Sequence, residues 1–262
     1  MEKLFVIKIG GNIIDDELKL ASFLKDFASV EGKKVLIHGG GKLATRLAKD
    51  LDIGQQMVEG RRITDAETLK IVTMVYAGYI NKNMVATLQS HQCNAIGLSG
   101  ADGNAITAHK RPVKNGIDFG FVGDVDSVNT SLFKSLLDQN MIVVMAPITQ
   151  DGNGQLLNTN ADTIAQETAK ALSSLYEVHL IYSFEKNGVL MNADDDNSVI
   201  HSINPNSYKE LKEKQIIFAG MIPKLDNAFA ALNSGVKRVI IGKAEALHLL
   251  ISGKAGTSIV HE

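Results

Sequence analysis

The side chains in this sequence that could do chemistry are cations standing next to glycines. Lys8 lies near the end of an apolar run, residues 4–9 (LFVIKI), and Gly10 and Gly11 follow directly. Lys224 sits just behind Pro223 at the opening of a helix that Gly235 stops. A cation in a first helical turn opposes the helix dipole at a cost of up to about 1 kcal/mol, and a bound anion removes that penalty. A second glycine cluster, Gly39-Gly40-Gly41, joins the β-branched run 35–38 to a helix-forming segment, 43–51. Glycines at such a turn permit positive φ and close approach of a ligand, and the helix start behind them offers unpaired N–H groups to an anion. The spacing is neither G-x-x-x-x-G-K-[ST] nor G-x-G-x-x-G. At another helix start Asn158, Asn160 and Asp162 crowd together. Thr159 and Asp162 can form a variant capping box, which accounts for Asp162 but not for the two asparagines. Two lysines, glycine amides and one carboxylate make a poor hydrolase. They suit phosphoryl transfer, where positioning and positive charge around the moving group do most of the catalysis.

Such residues need strands that end together and helices that begin there. Runs near 4–9, 35–38, 93–98, 141–146, 178–183, 237–241 and 257–260 read as strands, mainly buried parallel ones. In open α/β sheets, ligands bind at the carboxyl ends of such strands. Lys8 facing solvent from an edge strand is the bland alternative; the glycine pair behind it favours a site. Thr64 with Glu67 reads as the capping box of a long helix reaching about residue 91. Its apolar residues cover more than one stripe, which suits a central helix or a dimer interface. Arg61 or Arg62, just before it, can clamp a carboxylate with two N–H groups; two solvated loop arginines are the bland reading, and the sequence does not choose. The chain has 262 residues, 45% hydrophobic and 21% charged, as soluble globular proteins do. A net charge of −2 with no basic stripe argues against nucleic acid, and the lack of an apolar span of about 20 residues or a secretory leader argues for a cytoplasmic protein away from membranes. The single Cys93 excludes a disulfide framework, and the seven histidines show no metal spacing. His38 reads as a packed or hydrogen-bonded histidine.

Five motifs stand in one order: Lys8-Ile9-Gly10-Gly11, His38-Gly39-Gly40-Gly41, Glu59-Gly60-Arg61-Arg62-Ile63-Thr64, Asn158-Thr159-Asn160-Ala161-Asp162 and Gly220-Met221-Ile222-Pro223-Lys224. Each is weak alone; together, over nearly the whole chain, they resemble the amino acid kinase family. The resemblance implies an open, mainly parallel β-sheet sandwiched between helices, in two lobes: 1–175 for an acyl-glutamate and dimerisation, 176–262 for ATP. It implies ATP and nucleotide-bound Mg²⁺ as the phosphoryl source and the γ-carboxylate of an N-acylated glutamate as acceptor, in the arginine pathway. Acetyl is the default acyl group and succinyl the alternative. Lys8 and Lys224 resemble the lysines flanking the moving phosphoryl group, and Asp162 the carboxylate that orients them. Gly11, Gly40 and Gly41 resemble backbone donors. Arg62 resembles the clamp on the acceptor's α-carboxylate, and Asn158 a further acceptor contact. Lys8, Gly10, Gly11, Glu185, Gly188 and Lys224 fall on the nucleotide side.

One segment departs from the family pattern. Relatives usually carry a Ser/Thr-Asp-Val-x-Gly turn where this chain has Tyr182-Ser183-Phe184-Glu185-Lys186-Asn187-Gly188. Glu185 is the candidate substitute for the aspartate. The chain also starts without the extra helix of arginine-inhibited hexamers, so an arginine-insensitive homodimer is expected. From another class of function, a non-catalytic amino-acid or nucleotide sensor on the same fold is the rival; the presence of both lysines weighs against it.

Overall fold

The computed structural model describes residues 1–58, 60–217 and 221–261. Internal contacts divide the chain into two units, Met1–Lys34 with Ala165–Glu262, and Val35–Ile164. That division differs from the sequential one at 175/176. The strand Lys3–Ile9 is apolar on both faces and needs neighbours. It pairs in parallel with Glu177–Phe184, from Lys3↔Glu177 to Ile9↔Ser183, so the start of the chain belongs with its end.

In the first unit five strands run in the order Ser202–Ile203, Thr257–Ile259, Arg238–Lys243, Glu177–Phe184 and Lys3–Ile9. Three of the four pairings are parallel; Thr257–Ile259 against Arg238–Lys243 is antiparallel, which makes the sheet mixed. The helix Glu17–Ser29 buries Phe23, Leu24 and Phe27 and is capped by Asp16, whose carboxylate accepts from Lys19 N. The helix Pro205–Glu213 starts at a reciprocal cap between Asn204 and Ser207. The helix Ile222–Asn233 opens with Pro at its first turn, as the sequence suggests.

The second unit has a parallel set, residues 35–38 of the strand Lys33–His38, then Ile142–Met145, then Ala95–Leu98. A separate four-stranded sheet runs Leu156–Asn158, Ile148–Gln150, Ile106–Lys110, Gly123–Val128. A small hairpin joins Gln56–Val58 to Arg61–Ile63. The expected long helix is three segments in one run: α-helical Ala66–Thr73, π-helical Met74–Ile80 and α-helical Asn81–Ser90. π-Helical turns inside α-helices are uncommon and frequently mark functional sites.

Both cap assignments shift by one residue. The cap of the long helix is Asp65, whose carboxylate accepts from Thr68 N at 2.8 Å, because Thr64 is held in a bridge to Gly120. At the helix Ala161–Leu172 the cap is Asn160, accepting from Asp162 N at 2.8 Å and Thr163 N at 3.2 Å. Thr159 is occupied instead, 2.8 Å from Thr149 Oγ1 and 3.2 Å from the Gly123 carbonyl it donates to.

Candidate functional site

In the second unit the glycine turn is met by Arg62, one of the side chains the sequence singles out. Three apolar residues, Val35, Leu36 and Ile37, drive the strand into the core, and the chain must then turn sharply into the helix Gly41–Asp50. Gly40 takes φ +148°, and a Cβ there would lie 2.2 Å from Ile80 Cδ1 and 3.1 Å from Tyr76 Cδ1. Glycine is required both by the backbone angle and by the π-helical segment packed against it. The helix behind has no side-chain cap and no acidic residue in its first turn. Its leading N–H groups are a ready anion site.

Arg62 joins this turn from the hairpin. Its Nη2 donates to the Gly41 carbonyl and to Thr45 Oγ1, each at 2.9 Å, and its Nη1 donates to Gln55 Oε1. Gln55 Nε2 in turn donates to Thr68 Oγ1 at 3.0 Å. Arg62 is 9% exposed, and its guanidinium is held from several sides. The Tyr76 hydroxyl is part of the same group: burial raises its pKa, and the charge of Arg62 and a hydrogen bond to it oppose that rise. Of the two arginines, Arg62 is the one enclosed beside the glycine turn; Arg61 is exposed. Asn158 stands apart from that group, its Nδ2 donating to Thr64 Oγ1 at 3.0 Å and its own N–H to the Phe121 carbonyl. Asp162 lies half-buried in the first turn of its helix, where a carboxylate is favoured by the dipole.

His38 closes the strand. It is fully buried, and burial, with nearby Lys82, lowers its pKa to about 4. Its Nδ1 is 2.8 Å from the Gly39 carbonyl and its Nε2 is 3.2 Å from Asn81 Nδ2. It is a neutral, hydrogen-bonded residue, as its place in the sequence suggested, and not a base poised near pH 7.

In the first unit Lys8 is 9% exposed near the end of its strand, paired in register with Tyr182. This is no solvent-facing edge residue. Gly10 N donates to the Ser183 carbonyl at 2.8 Å, and a Cβ on Gly10 would come within 3.3 Å of that oxygen and of Phe184 Cβ. Gly11 opens the short helix Gly11–Ile14 with nothing within 4 Å of its Cβ position. Ser183 Oγ is buried without a hydrogen-bond partner among the described residues. Lys224 is half-buried in the first turn of Ile222–Asn233. Glu185 is exposed, and Lys186 beside it pairs with Asp196 at 2.9 Å, which raises the lysine's pKa. Gly188 is wedged against Thr257, its Cβ position 2.7 Å from Thr257 Oγ1. Past it lies a cavity of ≈ 100 Å³ walled by Val189, Leu190, Ala193, Ile216, Ile217 and Met221, with Lys186 at its margin. An apolar slot with one cationic edge suits a flat heteroaromatic ring.

The sequence reading missed Gln55, Thr45, Tyr76, Asn81 and the cavity walls. Asn81 had a signal: it is a polar residue between Ile80 and Met84 on the buried side of the long helix. Glu59 and Gly220, both in the quoted motifs, lie outside the described residues. Among the described residues no three His, Cys, Asp or Glu side chains gather in a way that would hold a metal ion, and no helix is long and apolar enough to cross a membrane.

Comparison with known proteins adds independent findings. The family model described as the amino acid kinase family matches residues 3–243. An acetylglutamate kinase of Cytophaga hutchinsonii is 59% identical over 262 residues, covering 99% of both chains. One from Phocaeicola vulgatus is 57% identical over 247 residues, 94% of this chain and 96% of its own. Among solved structures, N-acetylglutamate synthase from Neisseria gonorrhoeae, complexed with coenzyme A and N-acetyl-glutamate, superposes with a TM-score of 0.84 at 24% identity. It is matched over 100% of this chain and 60% of that longer one. Carbamate kinase from Giardia lamblia bound to AMP-PNP gives a TM-score of 0.70 at 17% identity, over 100% of this chain and 99% of that one. These two structural likenesses speak for the fold alone.

Proposed function

The chain belongs to the amino acid kinase family, and from that premise we propose that it transfers the terminal phosphoryl group of ATP to the γ-carboxylate of N-acetyl-L-glutamate, in arginine biosynthesis. The full-length likeness to acetylglutamate kinases supports the substrate. The structural observation that carries the reading is Arg62, bonded to the Gly41 carbonyl at the head of an uncapped helix. It pairs a carboxylate fork with an anion-binding helix start. The carboxylate oxygen attacks the terminal phosphorus, the P–O bond to the β-phosphate breaks, and ADP leaves with that electron pair. The acceptor's pKa is near ~4.3 in solution, so it arrives ionised and no proton has to be removed. That agrees with a His38 that burial keeps neutral and enclosed.

The obstacle is repulsion between a carboxylate and a polyphosphate, and positive charge offsets it. Lys8 and Lys224 supply that charge to the phosphoryl group, Gly10, Gly11, Gly40 and Gly41 supply N–H donors, and Asp162 remains a carboxylate without taking a proton. Arg62 and Asn158 hold the acceptor. The cavity beside Gly188 takes the adenine ring, and exposed Glu185 serves the nucleotide side. Magnesium bound to the nucleotide would supply further positive charge at its phosphates. The region up to residue 175 would serve chiefly the acceptor and dimerisation, and the rest the nucleotide. A homodimer through the long helix is part of the same proposal: Met74 and Tyr79 are 52% and 62% exposed there, apolar surface that a second copy would cover. With ATP and an amino-acid derivative as substrates, the working compartment is the cytoplasm.

The deciding experiment is ADP release with hydroxylamine trapping, run on N-acetyl-L-glutamate, N-succinyl-L-glutamate, glutamate, aspartate and carbamate. Trappable acyl phosphate from N-acetyl-L-glutamate is expected. Product from the succinyl compound alone would move the acyl group. ATP binding without product from any of the five would leave a sensor on this fold.

A further inference from the structure

His38 takes no part in the proton bookkeeping of the proposed reaction, yet it is wholly buried one residue before the glycine turn. Its tautomer can be read from its neighbours. Asn81 Nδ2 donates to the Val144 carbonyl at 3.0 Å, and Asn81 Oδ1 accepts from Lys82 Nζ at 3.1 Å. Turned over, the amide would set its oxygen against a carbonyl and its NH₂ against an ammonium, so the orientation is fixed. Asn81 Nδ2 also lies 3.2 Å from His38 Nε2. That nitrogen must therefore be the acceptor, and the ring proton sits on Nδ1, donating to the Gly39 carbonyl at 2.8 Å. Gly97 makes this arrangement reachable, because a Cβ there would lie 1.9 Å from Asn81 Oδ1.

The bond to Gly39 has a geometric consequence. The peptide linking Gly39 to Gly40 is trans, like every described peptide, and a trans peptide sets its C=O and N–H antiparallel. With the carbonyl turned onto the ring, the Gly40 N–H points to the opposite side. Among the described residues it donates to no backbone carbonyl. We propose that His38 is a positioning residue: its Nδ1–H fixes the Gly39–Gly40 peptide plane so that the Gly40 N–H is presented to a negatively charged oxygen of the substrates. The role rests on the phosphoryl-transfer reading above.

Asparagine keeps a donor where Nδ1 stands, and glutamine keeps a polar atom where Nε2 stands. His38→Asn and His38→Gln therefore separate the bond to Gly39 from the bond to Asn81. Loss of one preorganised oxyanion donor typically costs ~10²–10³ in kcat, and a misaimed one somewhat less. His38→Gln should lower kcat by roughly 10- to 100-fold, and His38→Asn should recover most of that loss at a similar thermal midpoint. Equal losses in both variants, or losses that simply follow the thermal midpoint, would overturn the proposal. Imidazole ¹⁵N shifts of the ligand-free protein provide an arm without turnover: a proton on Nδ1 is expected at pH 7, and one on Nε2 overturns the assignment. A wild-type protein that makes no acyl phosphate would remove the reaction instead, and the tautomer would then decide His38 by itself.

Discussion

Arg62 shows what a single side chain gains from its surroundings. Its guanidinium is bonded to Gly41, Thr45 and Gln55, so in the proposed clamp its orientation would cost little entropy. Arg62→Lys keeps the charge and loses the fork. It should raise KM for the acyl substrate by roughly 10- to 100-fold with a smaller change in kcat, as expected when ground and transition states lose the same contact. An unchanged KM in steady-state kinetics would remove the clamp. Lys8→Ala and Lys224→Ala should act the other way, lowering kcat by about 10²–10³ with little change in thermal midpoint. His38 carries a pH prediction. Burial lowers its folded pKa to about 4, below the 6.5 of the unfolded chain. The unfolded state therefore binds the proton first. Stability is complete above pH 6.5 and falls as pH drops toward 4, by up to ~1.4 kcal/mol per pH unit. Urea unfolding at pH 7, 6 and 5 should show this slope as the difference between wild type and His38→Asn; parallel curves would contradict it.

At the scale of elements, the long helical run and strand Ala95–Leu98 are matched by one glycine. Gly97→Ala would place a Cβ 1.9 Å from Asn81 Oδ1 and 2.9 Å from Val85 Cγ2. Overpacking of this kind costs about 1–3 kcal/mol, and a urea midpoint equal to wild type would show that the helix has room to shift. At the start of the same run, Asp65→Ala should cost ~1 kcal/mol for the lost cap, whereas Thr64→Ala tests a different bond, the one to Asn158. What the sequence made legible follows the same physics. Strands such as Lys3–Ile9 and Ile142–Met145 declare themselves by uninterrupted burial. The hairpin around Gly60 does not, because its strands are three residues long and half-exposed, without alternation. The π-helical segment left one trace: a π turn takes in an extra residue and rotates the face that follows, so the apolar arc reads as too wide for an ordinary helix. The caps were misread by one residue because Thr64 and Thr159 are held elsewhere, a tertiary fact. Of the site, the glycines, lysines and Arg62 were visible as motifs. Gln55, Thr45 and Tyr76 were not, since each matters only through the fold that brings it to Arg62.

For the molecule as a whole, the proposed ligand contacts fall on different contact units and predict separable footprints. AMP-PNP should slow amide exchange around 186–193 and 216–217, next to the cavity. N-acetyl-L-glutamate should slow it around 39–45 and 55–64, next to Arg62. Nucleotide protection confined to 55–64 would reverse the assignment. The pairing of Lys3–Ile9 with Glu177–Phe184 also sets an order of events during synthesis. Residues 35–164 form one continuous unit and can begin to fold as they leave the ribosome. The pairing of the first strand with Glu177–Phe184 cannot: that partner emerges later, and at about 5–20 residues per second the wait is roughly 10–35 s. For that interval the edge of Lys3–Ile9 that will face Glu177–Phe184 lacks this partner on a growing chain and is open to wrong pairings. Faster translation shortens that interval and slower translation lengthens it, so the exposure of this edge scales inversely with the elongation rate.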